Sequence, residues 1–229
     1  MKLNKIYKNI KLDSVFFQKK EKDNFVPIDN LVLPLKIDNR QRLSPVDNQG
    51  NTSACVCYST CSIAESVFWR RNGFPMNFNA LDLYKECKKV DGRPRVEGTF
   101  PEVGLSCALK FGIFGDIDGK ITTIRNDGTE NTIDKVKQAV FKYDFMLGGF
   151  KITDDMYNLT NGKYLVTGNG KPLGGHCMTI CGWNKSGIIV QNQWGTDFGA
   201  KGFCIFPYDI FMKQFIYGAF LTNIYDRLD

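Results

Sequence analysis

Apolar residues change their spacing partway along the chain, and that change constrains the fold more than any other feature. Up to about Tyr143 they recur at helical intervals between polar turns. Beyond it they fall in short runs, rich in aromatic and β-branched residues and divided by Gly, Asn, Asp and Pro. Four helices are expected, at about 54–72, 80–90, 101–111 and 133–143. Gly73 and Gly112 stop the first and third, and Asn131 or Thr132 caps the fourth. On the first helix Val56, Ile63, Val67 and Phe68 can share a buried face. Strands are expected at 145–152, 176–183, 187–193, 202–206 and 215–224. Helices first and strands second make an α+β chain by segregation, not an alternating α/β one.

The 229 residues, 43% of them apolar, suffice for one compact domain or two small lobes. No stretch approaches the ~18–20 apolar residues needed to cross a bilayer. Met1 to Lys11 alternate lysine with apolar residues and lack the apolar core of a secretory signal, so an intracellular chain is expected. Eight cysteines are then expected to be free thiols. Much of the net charge of +6 sits in residues 1–22, with seven lysines against Asp13 and Glu21. Such an arm suits an acidic partner or nucleic acid, or is simply a solvated surface segment.

Histidine occurs once, at His176, so any reaction that needs an imidazole must use it. Cys55 stands at the predicted start of the first helix, behind a polar, glycine-containing loop. Unpaired N–H groups there favour a thiolate, the competent nucleophile. A thiol nucleophile needs a proton acceptor, and the acceptor needs a third group to orient it. Asn192 lies 16 residues after His176, at the end of the next predicted strand, where a hairpin would set the two side by side. An acyl-transfer site also needs donors for the developing oxyanion. The Gln49 amide and the Cys55 backbone N–H can supply them. A zinc site from Cys55, Cys57, Cys61, His176, Cys177 and Cys181 lacks the paired knuckles of structural zinc, and no metal or other cofactor is expected. The remaining cysteines read as small buried hydrophobes.

These segments resemble the papain family of cysteine peptidases over about residues 33–209. Leu33-Pro34-Leu35-Lys36-Ile37-Asp38-Asn39-Arg40 is similar to that family's mature start. Val46-Asp47-Asn48-Gln49-Gly50 resembles its oxyanion-glutamine loop, Ala54-Cys55 its nucleophile segment, and Gly174-Gly175-His176 its base strand. The run from Gln191-Asn192-Gln193-Trp194-Gly195 to Gly199 is similar to its Asn-Ser-Trp-Gly stretch. Leu83 to Cys87 and Lys201 to Asp209 resemble the bacterial and viral branch. The resemblance implies a helical lobe (about 46–118) and an antiparallel β-barrel-like lobe (about 119–229 with 34–45), with the cleft between them. Residues 1–33 are an extension, shorter than the usual inhibitory propeptide, that covers the cleft or packs as a strand. A polypeptide substrate is implied, with a Cys55–His176 pair resting as thiolate and imidazolium. Gly98, Gly175 and Trp194 are implied as substrate-side positions: Gly98 offers backbone to an extended peptide, and Trp194 shields the His176–Asn192 bond.

Departures are also visible. Thr52 stands where the family has a disulfide cysteine, Val56 replaces the aromatic residue after the nucleophile, and Gln193 replaces a serine. They leave open a rival reading, a peptidase-like fold kept as a binding or structural subunit. Acyl transfer to an amine, or isopeptide cleavage, is a third.

Overall fold

A computed structural model describes residues 24–115, 119–160 and 162–222. The lysine-rich arm, part of the expected lobe boundary and the end of the last predicted strand lie outside the described residues.

Helix α1 spans Cys55–Asn72 and ends on Gly73, whose φ of 76° is the left-handed cap a glycine takes without strain. Helix α2 (Ala80–Val90) starts where Asn79 Oδ1 accepts the N–H groups of Leu81 and Asp82. Helix α3 (Pro101–Lys110) opens on a proline, whose missing N–H would have no partner in a first turn anyway. Helix α4 covers Asn131–Tyr143, so Asn131 and Thr132 lie inside it and do not cap it; Thr132 Oγ1 instead donates to Asp127. Helix α5, Tyr208–Gln214, was not expected, being shorter than two full helical turns.

Seven strands form one antiparallel sheet: β1 (Ile37–Asp38), β2 (Lys120–Arg125), β3 (Met146–Thr153), β4 (Pro172–Asn184), β5 (Gly187–Gln191), β6 (Phe203–Phe206) and β7 (Phe215–Thr222). Their order is β2-β7-β3-β4-β5-β6, with β1 added to β4. Strand β4 is buried on both faces. Cys177 and Cys181 join the core of α1, α2 and α3, while Met178 and Ile180 join a second core with α4 and α5. One extra residue on β4, between Ile180 and Gly182, shifts the β5 register. That bulge turns Trp183 into the second core, against the alternation of a regular strand.

Helix α1 sits between these layers, and from Cys55 to Val67 every residue except Tyr58 is buried. A helix buried all round must satisfy its polar side chains internally. Ser62 Oγ donates to Gln191 Oε1 at 2.5 Å, Ser59 Oγ to Gln193 Oε1 at 3.0 Å, and Ser66 Oγ to the Ser62 carbonyl at 2.6 Å. Described residues of the extension pack on the sheet side of the molecule. Asn24 bonds Ile121 and Thr123 of β2, the Ile28 N–H donates to Gln138 of α4, and Phe25 meets Phe220 edge-on.

Candidate active site

Three segments bring the expected residues together. Cys55 is the first residue of α1, behind Ala54, which gives no side-chain cap. Its N–H belongs to the first turn, whose donors find no carbonyl within the helix. His176 lies in β4, and Asn192 follows directly on β5. The hairpin pairs Thr179 with Gln191 and so sets the His176 and Asn192 side chains side by side.

His176 Nε2 and Asn192 Oδ1 are 2.7 Å apart. Asn192 Oδ1 also accepts the Gln193 N–H at 2.9 Å, which fixes that oxygen as the acceptor. Nε2 therefore carries the proton, and Nδ1 is the basic nitrogen. Nδ1 is buried and has no hydrogen-bond partner among the described residues. Trp194, 1% exposed, tilts over the imidazole at 5.1 Å between ring centres and is flanked by Tyr157 and Phe198. Its contact is thus with the His176 imidazole, and its ring offers no face to solvent.

Burial pushes His176 down to about 4, with the Asn192 bond opposing. In these surroundings the imidazole is neutral at pH 7. The ion pair the resemblance implies needs the charge of a Cys55 thiolate to offset that penalty.

Gln49 is buried, and its Nε2 donates to the Thr52 carbonyl at 2.8 Å, leaving the amide's second proton for a ligand. Thr52 Oγ1 returns a bond to the Gln49 carbonyl at 2.7 Å. The Gln49 loop is stitched to the Trp194 loop by Gln49 N–H to Gln193 O at 2.8 Å and Gly195 N–H to Asp47 O at 3.0 Å. The pieces of chain that carry Gln49, Cys55 and His176 are thus each bonded to the Asn192–Gln193 segment.

Gly98 departs from expectation. Its N–H donates to the Tyr84 hydroxyl at 2.8 Å and its carbonyl accepts from Lys88 Nζ at 2.9 Å. A backbone N–H already engaged inside the lobe is not offered to an extended peptide. Gly175 lies in β4 opposite Lys151, next to His176. All eight cysteines are free and buried. Burial raises the thiols of Cys57, Cys61, Cys177, Cys181 and Cys204.

Sequence reasoning missed the serine stripe that joins α1 to the Asn192 loop. Its signal was the spacing of Ser59, Ser62 and Ser66 on one helix face, read there only for apolar residues. Gln193, noted as a departure, is the acceptor that this stripe requires.

A buried helix headed by cysteine, facing an antiparallel sheet that carries histidine and asparagine, is the papain-like fold. The structure aligns with xylellain, a cysteine protease from Xylella fastidiosa, at a TM-score of 0.74 over 93% of this chain and 97% of that one, with 15% identity. It aligns with procathepsin B S9 from Trypanosoma congolense at 0.72, over 96% and 88%, with 17% identity. By sequence, 176 residues are 33% identical to cathepsin B-like cysteine proteinase 3 of Caenorhabditis elegans, covering 67% of this chain and 44% of the relative. A 58-residue stretch is 41% identical to a gut-specific cysteine proteinase of the same organism, over 24% of this chain and 17% of that one. The chain spans less than half the length of these curated relatives. No protein-family model matches it. The fold is papain-like, and over 176 residues the sequence is similar to a cathepsin B-like cysteine proteinase.

Proposed function

We propose that the chain is a cysteine endopeptidase. The observation that carries this reading is the His176–Asn192 bond: it leaves Nδ1 as a buried basic nitrogen without a partner among the described residues. Cys55 Sγ gives its proton to Nδ1 and attacks the peptide carbonyl carbon. The oxyanion accepts from Gln49 Nε2 and the Cys55 N–H. His176 returns the proton to the departing amine as the C–N bond breaks. It then takes a proton from water, which attacks the thioester and releases the acid. Asn192 keeps Nε2 protonated throughout, and Trp194 keeps water from that bond.

A peptide-library digest read by mass spectrometry tests this. Cleavage products are expected from the wild type and not from Cys55→Ala, with hydrolytic termini and no amine adducts. Equal digestion by both proteins would overturn the proposal.

One observation favours the rival reading of a binding or structural subunit: Cys55 and His176 are both 0% exposed. For turnover, the cleft must open to admit a carbonyl; wild type and Cys55→Ala alike in binding a peptide without cleaving it is the rival's expected outcome. The bacterial or viral branch is supported by the match to the Xylella protein and opposed by the nematode sequence identity.

A further inference from the structure

The loop between α2 and α3 has almost no core of its own, for residues 92–97 are exposed. What it folds around is an ammonium group. Lys88 Nζ, on the last turn of α2, donates to Asp91 Oδ2 at 2.6 Å and to the carbonyls of Arg93 at 2.8 Å, Val96 at 2.6 Å and Gly98 at 2.9 Å. Three protons meet four acceptors, so at least one is shared. The Asp91 side chain is 0% exposed and that of Lys88 16%, so this is an internal charge pair and not a surface one. The Tyr84 hydroxyl on the Gly98 N–H and the Arg93 guanidinium over Phe100 at 5.5 Å complete the loop's attachments to the helical lobe.

The loop in turn reaches the reacting segment. Glu97 Oε2 accepts from Ser53 Oγ at 2.9 Å. Ser53 is buried, two residues before Cys55 and directly after Thr52, whose carbonyl holds the Gln49 amide. From the ammonium to the oxyanion donor the path is therefore short: loop carbonyls, Glu97, Ser53, then Thr52 to Gln49 on one side and Cys55 on the other. A carbonyl-caged lysine explains how a loop without a disulfide or an apolar core holds one conformation beside the nucleophile.

We propose that Lys88 is a positioning residue for the reaction: it folds the 91–98 loop into a clamp that holds, through Glu97 and Ser53, the segment presenting Cys55 and orienting Gln49. This rests on the reading of Cys55 as nucleophile and Gln49 as oxyanion donor. Lys88 touches no reacting atom. Its loss affects how donors meet the transition state, and hence kcat more than KM.

The test compares Lys88→Met/Asp91→Asn, Ser53→Ala and their combination with the wild type. The double change is used because Lys88→Met alone strands the Asp91 carboxylate without its cation and can unfold the chain. Expected are near-native circular dichroism, a fall of about tenfold in kcat for each, and KM within about twofold. The combination should lose no more than either alone, because both act through one contact. Glu97→Gln, which keeps an acceptor for Ser53, should retain most of the rate. Wild-type kcat in Lys88→Met/Asp91→Asn, or losses that multiply in the combination, would overturn the proposal. Trypsin nicking after Arg95, which needs no turnover, should rise with loss of the lysine cage; unchanged nicking overturns the clamp whatever the activity. Absence of Cys55-dependent cleavage by the wild type instead overturns the peptidase reading, and with it the catalytic part of this proposal.

Discussion

His176 and Glu65 set opposite pH slopes on stability, both for the same physical reason. Burial lowers His176 from its ordinary 6.5 to about 4, and raises Glu65 from 4.5 to about 7 despite the Phe78 N–H it accepts. Between pH 4 and 6.5 the unfolded chain binds more protons at His176, so stability rises with pH and is lost as pH falls through that window. At Glu65 the native state binds more protons, so stability is greatest below pH 4.5 and is lost as pH rises toward 7. The two largely cancel between about 4.5 and 6.5. Glu65→Gln should therefore uncover a stability that climbs with pH across this range, read as urea midpoints; a flat profile would refute the His176 assignment. At the same scale, Asn192→Ala removes a bond of ~1–1.5 kcal/mol and should cut kcat about tenfold with little change in KM. Steady-state kinetics on a cleaved peptide would check it.

Among the elements, α1 bears the tightest constraint, because both its faces are occupied. Helix α3 crosses it at Gly104, where an added Cβ would lie 2.7 Å from Val56 Cγ1 and 2.9 Å from Thr60 Oγ1. Gly104→Ala should push the helices apart and cost ~1–3 kcal/mol, seen as a lower denaturation midpoint. The same contact gives Val56 a role. In place of an aromatic residue beside the nucleophile, it leaves the width that lets α3 approach, and the closeness of α3 is matched by the glycine. The serine stripe explains Gln193 similarly. These pairs could not be read from one segment at a time, since each partner looks ordinary until the other is placed against it.

For the molecule as a whole, every one of the eight cysteines is buried, so any thiol reaction reports an opening. Cys55 also belongs to a core, but it heads α1 just behind the exposed Gly50–Asn51 turn, so opening at that end reaches it without unfolding the helix. The other seven lie within core or strand and need unfolding. Iodoacetamide followed by peptide mapping should therefore label Cys55 first in the native protein, and all eight thiols in guanidinium. Labelling of Cys107 or Cys87 ahead of Cys55 would contradict that order.

Local spacing determined much of this protein from the sequence alone. Four helices and five strands follow from periodicity, and the lone histidine settles which side chain can serve as base. Some pieces escaped: β1 is two residues, α5 is under two full turns, and in β2 the apolar Ile121 and Ile124 stand three apart, off the strand period of two. Residue identity restricts the candidate chemistry most at Cys55 and His176, while Asn192 and Gln49 lean on the resemblance; the structure sets His176 Nε2 2.7 Å from Asn192 Oδ1. It was not legible where a role depends on what lies across a gap. Gly98 looked like an open backbone until Tyr84 and Lys88 were found on it. Only tertiary structure decides how a lysine on one helix and carbonyls on the next loop share an enclosed space. Charge burial and hydrogen-bond satisfaction are properties of that enclosure, not of any stretch of sequence.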